Sequence, residues 1–116
     1  MNPPPAPDDA ALPDPAVIWC PFPDIASARA AAETLLDEGL IACANMIDGM
    51  VSLFAWQGNR DEARETGLLL KTNKALLDRA IARLGALHPY EEPAILGWRA
   101  DAWTPGTRAW LGAAGR

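Results

Sequence analysis

The hydrophobic and polar positions of this chain change period several times, and each change predicts an element. Ala16-Val17-Ile18-Trp19-Cys20 is a continuous apolar run closed by Pro21 and Pro23. It is too short for a helix and predicts a strand buried on both faces. Asp24 is placed as an N-cap, after which Ile25, Ala28, Ala32, Leu35 and Leu36 recur on one helical face, with Gly39 as the stop. Leu40 to Ile47 is apolar apart from Asn45, Asp48-Gly49 signals a bend or bulge, and Met50 to Trp56 resumes strand alternation. Gln57-Gly58-Asn59 marks a reversal, and Glu62 to Thr72 passes from polar to apolar, completing a long hairpin. Thr72 or Asn73 then caps a second helix, whose inward positions are Leu76, Leu77, Ala80, Ile81 and Leu84, with Gly85 as its stop. Ala94 to Ala100 predicts a last core strand, and Trp103 to Ala114 a short C-terminal helix.

This order implies an α+β fold. Split βαβ units with right-handed crossovers put both helices on one face of an antiparallel four-stranded sheet, giving a ferredoxin-like βαββαβ sandwich with a long β-hairpin and a short C-terminal helix. Two helices cannot shield both faces, and the hairpin overhangs a sheet this small. Exposed edges and apolar faces invite association, for which a closed cyclic homo-oligomer is the usual solution.

Composition adds a boundary. With 116 residues there is room for one domain. Six of the eleven prolines lie within residues 1–15, so these are expected to form a disordered Pro-rich tail preceding a domain at 16–116. The net charge is −5, but Asp8, Asp9 and Asp14 belong to the tail, and no basic patch suits nucleic acid. Two cysteines, Cys20 and Cys43, make no disulfide framework or CxxC pair and are expected to stay reduced. No secretory leader pattern or run of about 18 apolar residues occurs, so no membrane association and a cytoplasmic location are expected. Five tryptophans are more aromatic surface than one small core uses, which points to a subunit interface.

The chemistry concentrates in Leu87-His88-Pro89-Tyr90-Glu91-Glu92-Pro93, which holds the only histidine and the only tyrosine. Each proline pushes its preceding residue out of helical geometry, so His88 and Glu92 are both expected to be extended in a stiff segment. Cys20, Cys43 and His88 are the soft or borderline ligands present, and suit copper or zinc better than magnesium or calcium. No short-range ligand spacing supports them, and buried thiols with a hydrogen-bonded histidine are the alternative. An enzyme is not expected: GxSxG, HExxH and GxxxxGK[ST] are missing, no second histidine is available, and Glu91 and Glu92 point to opposite sides of an extended segment.

The ordered motifs resemble the CutA family of divalent-cation-tolerance proteins. They are Val17-Ile18-Trp19-Cys20 with Pro23-Asp24, Gly39-Leu40-Ile41-Ala42-Cys43-Ala44-Asn45, Trp56-Gln57-Gly58, Leu70-Lys71-Thr72, His88-Pro89-Tyr90-Glu91 and Ala109-Trp110-Leu111. Pro21-Phe22 and Ala55 depart from the family's usual residues. The resemblance implies a homotrimer similar to PII signalling proteins, binding of copper or another divalent metal, and a role in the response to metal ions. It raises Cys20 as a metal ligand, beside His88 and Cys43 as the other candidates. Trp56, Glu65, Lys71, Tyr90 and Glu91 are expected to line an inter-subunit cleft. A PII-like small-ligand sensor, or a trimeric scaffold using Trp103 and Trp110 as contacts, are the alternatives.

Overall fold

A computed structural model describes residues 11–116. The element order is β1 (Pro15–Phe22), α1 (Ile25–Asp37), β2 (Cys43–Trp56), β3 (Asn59–Asn73), α2 (Leu77–Leu87), β4 (Leu96–Arg99) and α3 (Pro105–Gly112). The strands form one sheet in the order β2-β3-β1-β4, with antiparallel pairing throughout. The expected mixed α+β architecture is therefore present, with every predicted element in place.

The period-2 rule decides what β1 and β3 bury. Ile18 pairs with Leu70, Cys20 with Leu68 and Phe22 with Thr66, and all six side chains are fully buried on one face. Against that face pack Ala28, Ala31, Ala32 and Leu35 of α1 and Ala80 and Leu84 of α2, in one continuous core. Both helices therefore lie on the same side. Ile25 and Leu36, expected to face inward, are 39% and 44% exposed. The small side chains of Ala28, Ala31 and Ala32 bring α1 close to the sheet, and no room remains for the flanking large residues.

Among the described residues neither α1 nor α2 lies on the opposite face. Val17, Trp19, Leu69 and Ile47 project there, with Leu96 and Trp98 from β4, so β1 is buried fully on one face and only partly on the other. The expectation of a strand buried on both faces fails for that reason. Gly67 sits on this open side, in regular register with Pro21, and Trp19 explains it. A Cβ at position 67 would lie 2.4 Å from the indole, so the ring occupies the space a side chain would take.

Beyond the sheet, β2 and β3 run on together. A register shift falls between Ile47 and Met50, where Gly49 has φ +74° and Asp48 accepts from the buried Thr66 hydroxyl at 2.9 Å. At the tip Gln57 and Gly58 both have positive φ, the requirement of a two-residue hairpin turn whose twist matches its strands. The result is elongated, with extents of 59 × 25 × 22 Å.

The helix ends refine two expectations. Helix α2 passes through Gly85 and stops at Leu87, because Pro89 forces His88 into an extended conformation (φ −73°, ψ 140°). Asn73 organises the turn before it. Its Oδ1 accepts from the backbone N–H groups of Ala75 and Leu76 at 3.0 and 3.2 Å, while Nδ2 donates to the carbonyls of Leu111 and Ala114 at 2.9 and 3.3 Å. One buried amide thus ties α3 to the end of β3.

The chain preceding β1 is part of this end of the domain. Leu12 is buried against Gly112, its carbonyl accepts from Arg108 Nη2 at 2.7 Å, and the Asp14 carbonyl accepts from Lys74 N–H at 2.8 Å. Leu12 and Asp14, which the residue pattern assigns to the tail, thus make contacts with the domain. The expectation for residues 1–10 lies outside the described residues.

Asn73→Ala removes the side-chain partner of four backbone groups, two of them in fully buried hydrogen bonds. A loss of about 3 kcal/mol in unfolding free energy is expected, read from the urea midpoint at unchanged m. A loss below about 0.5 kcal/mol would show that the amide is not the tie between α3 and β3.

Candidate functional site: a cleft between the hairpin and the histidine segment

Strand alternation builds one wall of a cleft. Ser52, Phe54 and Trp56 project from one side of the hairpin, opposite the small Ala63, and the wall continues to Glu65. Pro21 at the end of β1 closes the base, and Tyr90, Glu92 and Ala94 form the other side. The space enclosed is about 390 Å³, within the range of small-molecule sites.

His88 fixes Tyr90 in this wall. The ring is 7% exposed and lies against Phe22, with centroids 4.1 Å apart, and against Tyr90 at 4.8 Å. Nδ1 accepts from the Tyr90 backbone N–H at 3.1 Å, and Nε2 lies 2.8 Å from the Pro21 carbonyl oxygen. A backbone N–H can only donate and a carbonyl can only accept, so the proton sits on Nε2. Both ring nitrogens are used within the chain. Beyond His88 the Tyr90 hydroxyl donates to Glu65 Oε2 at 2.9 Å. Burial, then the bond to Glu65 and its charge, push the Tyr90 phenol up to about 12.

Cys20 is fully buried on the helix side of β1, with Sγ 3.6 Å from the Pro21 carbonyl oxygen. Burial, followed by the Glu65 carboxylate, pushes its thiol up to about 12. Cys43 pairs with Lys71 in the sheet and so projects from the opposite, uncovered face, its Sγ 3.6 Å from Asn45 Oδ1. The three expected metal ligands are consequently not gathered. Thiolate is the ligating form of cysteine, His88 has no spare lone pair, and Cys43 is on the wrong side of the sheet. Among the described residues no group of three or more His, Cys, Asp or Glu side chains is arranged to hold a metal ion.

Of the five expected cleft residues, Trp56, Glu65 and Tyr90 meet. Lys71 does not. It lies six positions along β3 from Glu65, roughly 20 Å away, between Val17 and Cys43. Glu91 is replaced by Glu92 as the acidic residue of the far wall. Residues 89–92 run as a succession of bends rather than the expected extended segment, so strand alternation does not apply to them and the sequence carried no signal for this exchange. Phe54 is a second omission. It alternates with Trp56 and Ser52, and the same rule places all three together.

A four-stranded antiparallel sheet with two helices packed on one face and an overhanging hairpin make this a small α+β protein. Residues 16–114 match the family model of the CutA1 divalent ion tolerance protein, and the chain belongs to this family. It is 37% identical over 95 residues to the divalent-cation tolerance protein CutA of Pyrococcus horikoshii, covering 82% of this chain and 92% of that protein. The Salmonella newport protein of the same description is 35% identical over 88 residues, 76% of each chain. Among solved structures, CutA1 from Oryza sativa superposes with a TM-score of 0.84 at 25% identity, covering 90% of this chain and 96% of that one. CutA from Xylella fastidiosa gives 0.81 at 36% identity, covering 84% and 94%.

Tyr90 is the only tyrosine, so ultraviolet titration of the phenol reads this site directly. A midpoint near 12 is expected in the folded protein, falling toward the ordinary 10.0 in Glu65→Ala. A folded-state value above the unfolded one favours the neutral phenol. Its contribution to stability is thus complete below pH 10.0 and lost as the pH rises toward about 12. An unchanged midpoint in Glu65→Ala would remove Glu65 as the cause.

Proposed function

We propose that this protein acts in divalent-cation tolerance as a ferredoxin-like homotrimer, and that it takes up copper or a similar divalent cation at positions completed between subunits. The observation that carries this reading is the uncovered sheet face. Leu96 and Trp98 are 64% and 49% exposed, Ile47 is 54% exposed, and the same side of the hairpin adds Phe54 at 43% and Trp56 at 57%. Continuous apolar surface of this kind on a small domain is a site of association. The sheet order and the placement of both helices on one side support the ferredoxin-like description, and membership of the family supports the link to divalent cations.

The geometry within one chain gives Cys20, His88 and Cys43 structural places, so the proposed uptake is not routed through them as a set. Copper titration checks this point. The Cys20→Ser, His88→Ala double variant is expected to lose thermal stability while keeping the copper affinity of the unaltered protein. A selective loss of affinity at unchanged stability would restore these residues as ligands, and no saturable uptake by either protein would remove the cation from the proposal.

Location in the cytoplasm is supported by two free thiols. Among the described residues no helix is long and apolar enough to cross a membrane. The Archaeoglobus fulgidus neighbour, at 25% identity and TM-score 0.79, is described as a periplasmic divalent cation tolerance protein CutA, so fractionation of cells is the deciding measurement. A second reading, a PII-like small-ligand sensor, is favoured by the aromatic cleft at the hairpin base.

Assembly is tested by light scattering at micromolar concentration, where a mass three times the 12.4 kDa of the chain is expected. A monomeric mass would sink the proposed architecture. Trp56→Ala is expected to weaken assembly about tenfold or more, and Trp103→Ala less, since only the first residue lies on the hairpin. Equal effects would take the hairpin out of the interface.

A further inference from the structure

Residues 12–14 belong to no helix or strand, yet their main chain is tied down where it runs into β1. The Leu12 carbonyl accepts from Arg108 Nη2 at 2.7 Å, the Asp14 carbonyl from the Lys74 N–H at 2.8 Å and the Pro15 carbonyl from the Ala100 N–H at 3.0 Å. Pro13 and Pro15 fix their own φ and hold Leu12 and Asp14 extended, so the segment loses little conformational freedom in taking up this path. Neither proline brings an N–H that would need a partner.

The far end of the segment is fitted to α3. Leu12 is buried on Gly112, where an added Cβ would lie 2.8 Å from the Leu12 Cβ and 3.3 Å from its Cγ and Cδ1. The Cβ is fixed to the main chain and cannot swing aside. Arg108 stands four residues before Gly112 on the same side of the helix, so the side chain and the carbonyl of Leu12 engage one face of α3 at successive turns. The domain holds the helix elsewhere, through the buried Leu111 and through the Asn73 amide on the Leu111 and Ala114 carbonyls. A helix of eight residues does not persist without such contacts.

We propose that residues 12–14 are a strap closed over α3, and that release of the strap lets α3 leave the end of the sheet as a unit while the rest of the domain stays folded. The strap precedes residues 16–114, which carry the family match, whereas Arg108 and Gly112 lie within them. The proposal is thus independent of the cation reading. Opening uncovers Leu111 and also Leu76, a buried side chain against which Gly115 packs.

The test is hydrogen exchange, resolved by segment, on the full-length protein in its native assembly state. Leu12→Ala is expected to speed exchange of the α3 amides about tenfold or more and to leave α1 and α2 unchanged. Gly112→Ala separates the strap from ordinary helix propensity. Alanine in place of glycine normally protects a helix, whereas here its Cβ pushes Leu12 away, and faster exchange of α3 is expected. Both substitutions act on one contact, so the double variant is expected to exchange no faster than the faster single variant. Slower exchange of α3 in Gly112→Ala would overturn the proposal. Equal acceleration of α1, α2 and α3 in Leu12→Ala would make Leu12 an ordinary core residue and overturn it as well. Unchanged exchange in both single variants would show that α3 is held without the strap, with the same consequence.

Discussion

A sheet has two faces, and here α1 and α2 both cover the same one. Everything distinctive about the protein follows from that inequality. On the covered side the alternation of β1 and β3 sets Ile18, Cys20, Phe22, Leu68 and Leu70 against two alanine-rich helical surfaces, and the core closes there completely. On the other side the same alternation, displaced by one residue, leaves Val17, Trp19 and Leu69 only half-buried. The apolar residues that a second layer of helices would otherwise bury are carried on the surface and along the hairpin, where their natural complement is another molecule.

The cleft is a local product of the same constraint. Because β2 and β3 continue past the end of β1, the last residue of the open face of β1, Pro21, becomes the floor of a space walled by the hairpin on one side and by the chain entering β4 on the other. The Pro21 carbonyl is turned to His88, and through the His88 ring the backbone of Tyr90 is set so that its phenol reaches Glu65. A main-chain oxygen in β1, a ring, a backbone N–H and a phenol–carboxylate bond thus form one polar thread through an apolar region. Each member has its partner, which is what such a region demands of polar groups.

Much of this was legible in the residue pattern, for a reason that also explains what was not. Elements and their order follow from periodicity, and the extended backbone of His88 follows from Pro89. Positions on the same side of a strand are fixed by counting in twos, which would have given Phe54 as well as Trp56, whereas Glu92 lies among the bends of residues 89–92, where the count does not apply. Counting also sets Lys71 six residues, roughly 20 Å, from Glu65 within one chain. It is blind to which face a cysteine occupies until the pairing is known. Cys20 and Cys43 read alike as soft ligands in apolar runs, and the register of β1, β3 and β2 sends one into the core and the other to the open side. The inward placement of Ile25 and Leu36 failed because helical spacing marks a stripe without its width. Three alanines narrowed it.

Trp19 and Gly67 give the open face its relief. With the indole lying across a residue that has no side chain, β3 has no ridge at that point and the ring fills the would-be furrow. The surface is levelled. A level apolar plane holds a partner well against separation and poorly against sliding, since nothing interlocks. Any copy that packs there must take its alignment from elsewhere, and the overhanging hairpin, long, twisted and studded with large side chains, is the feature with enough shape to act as the key.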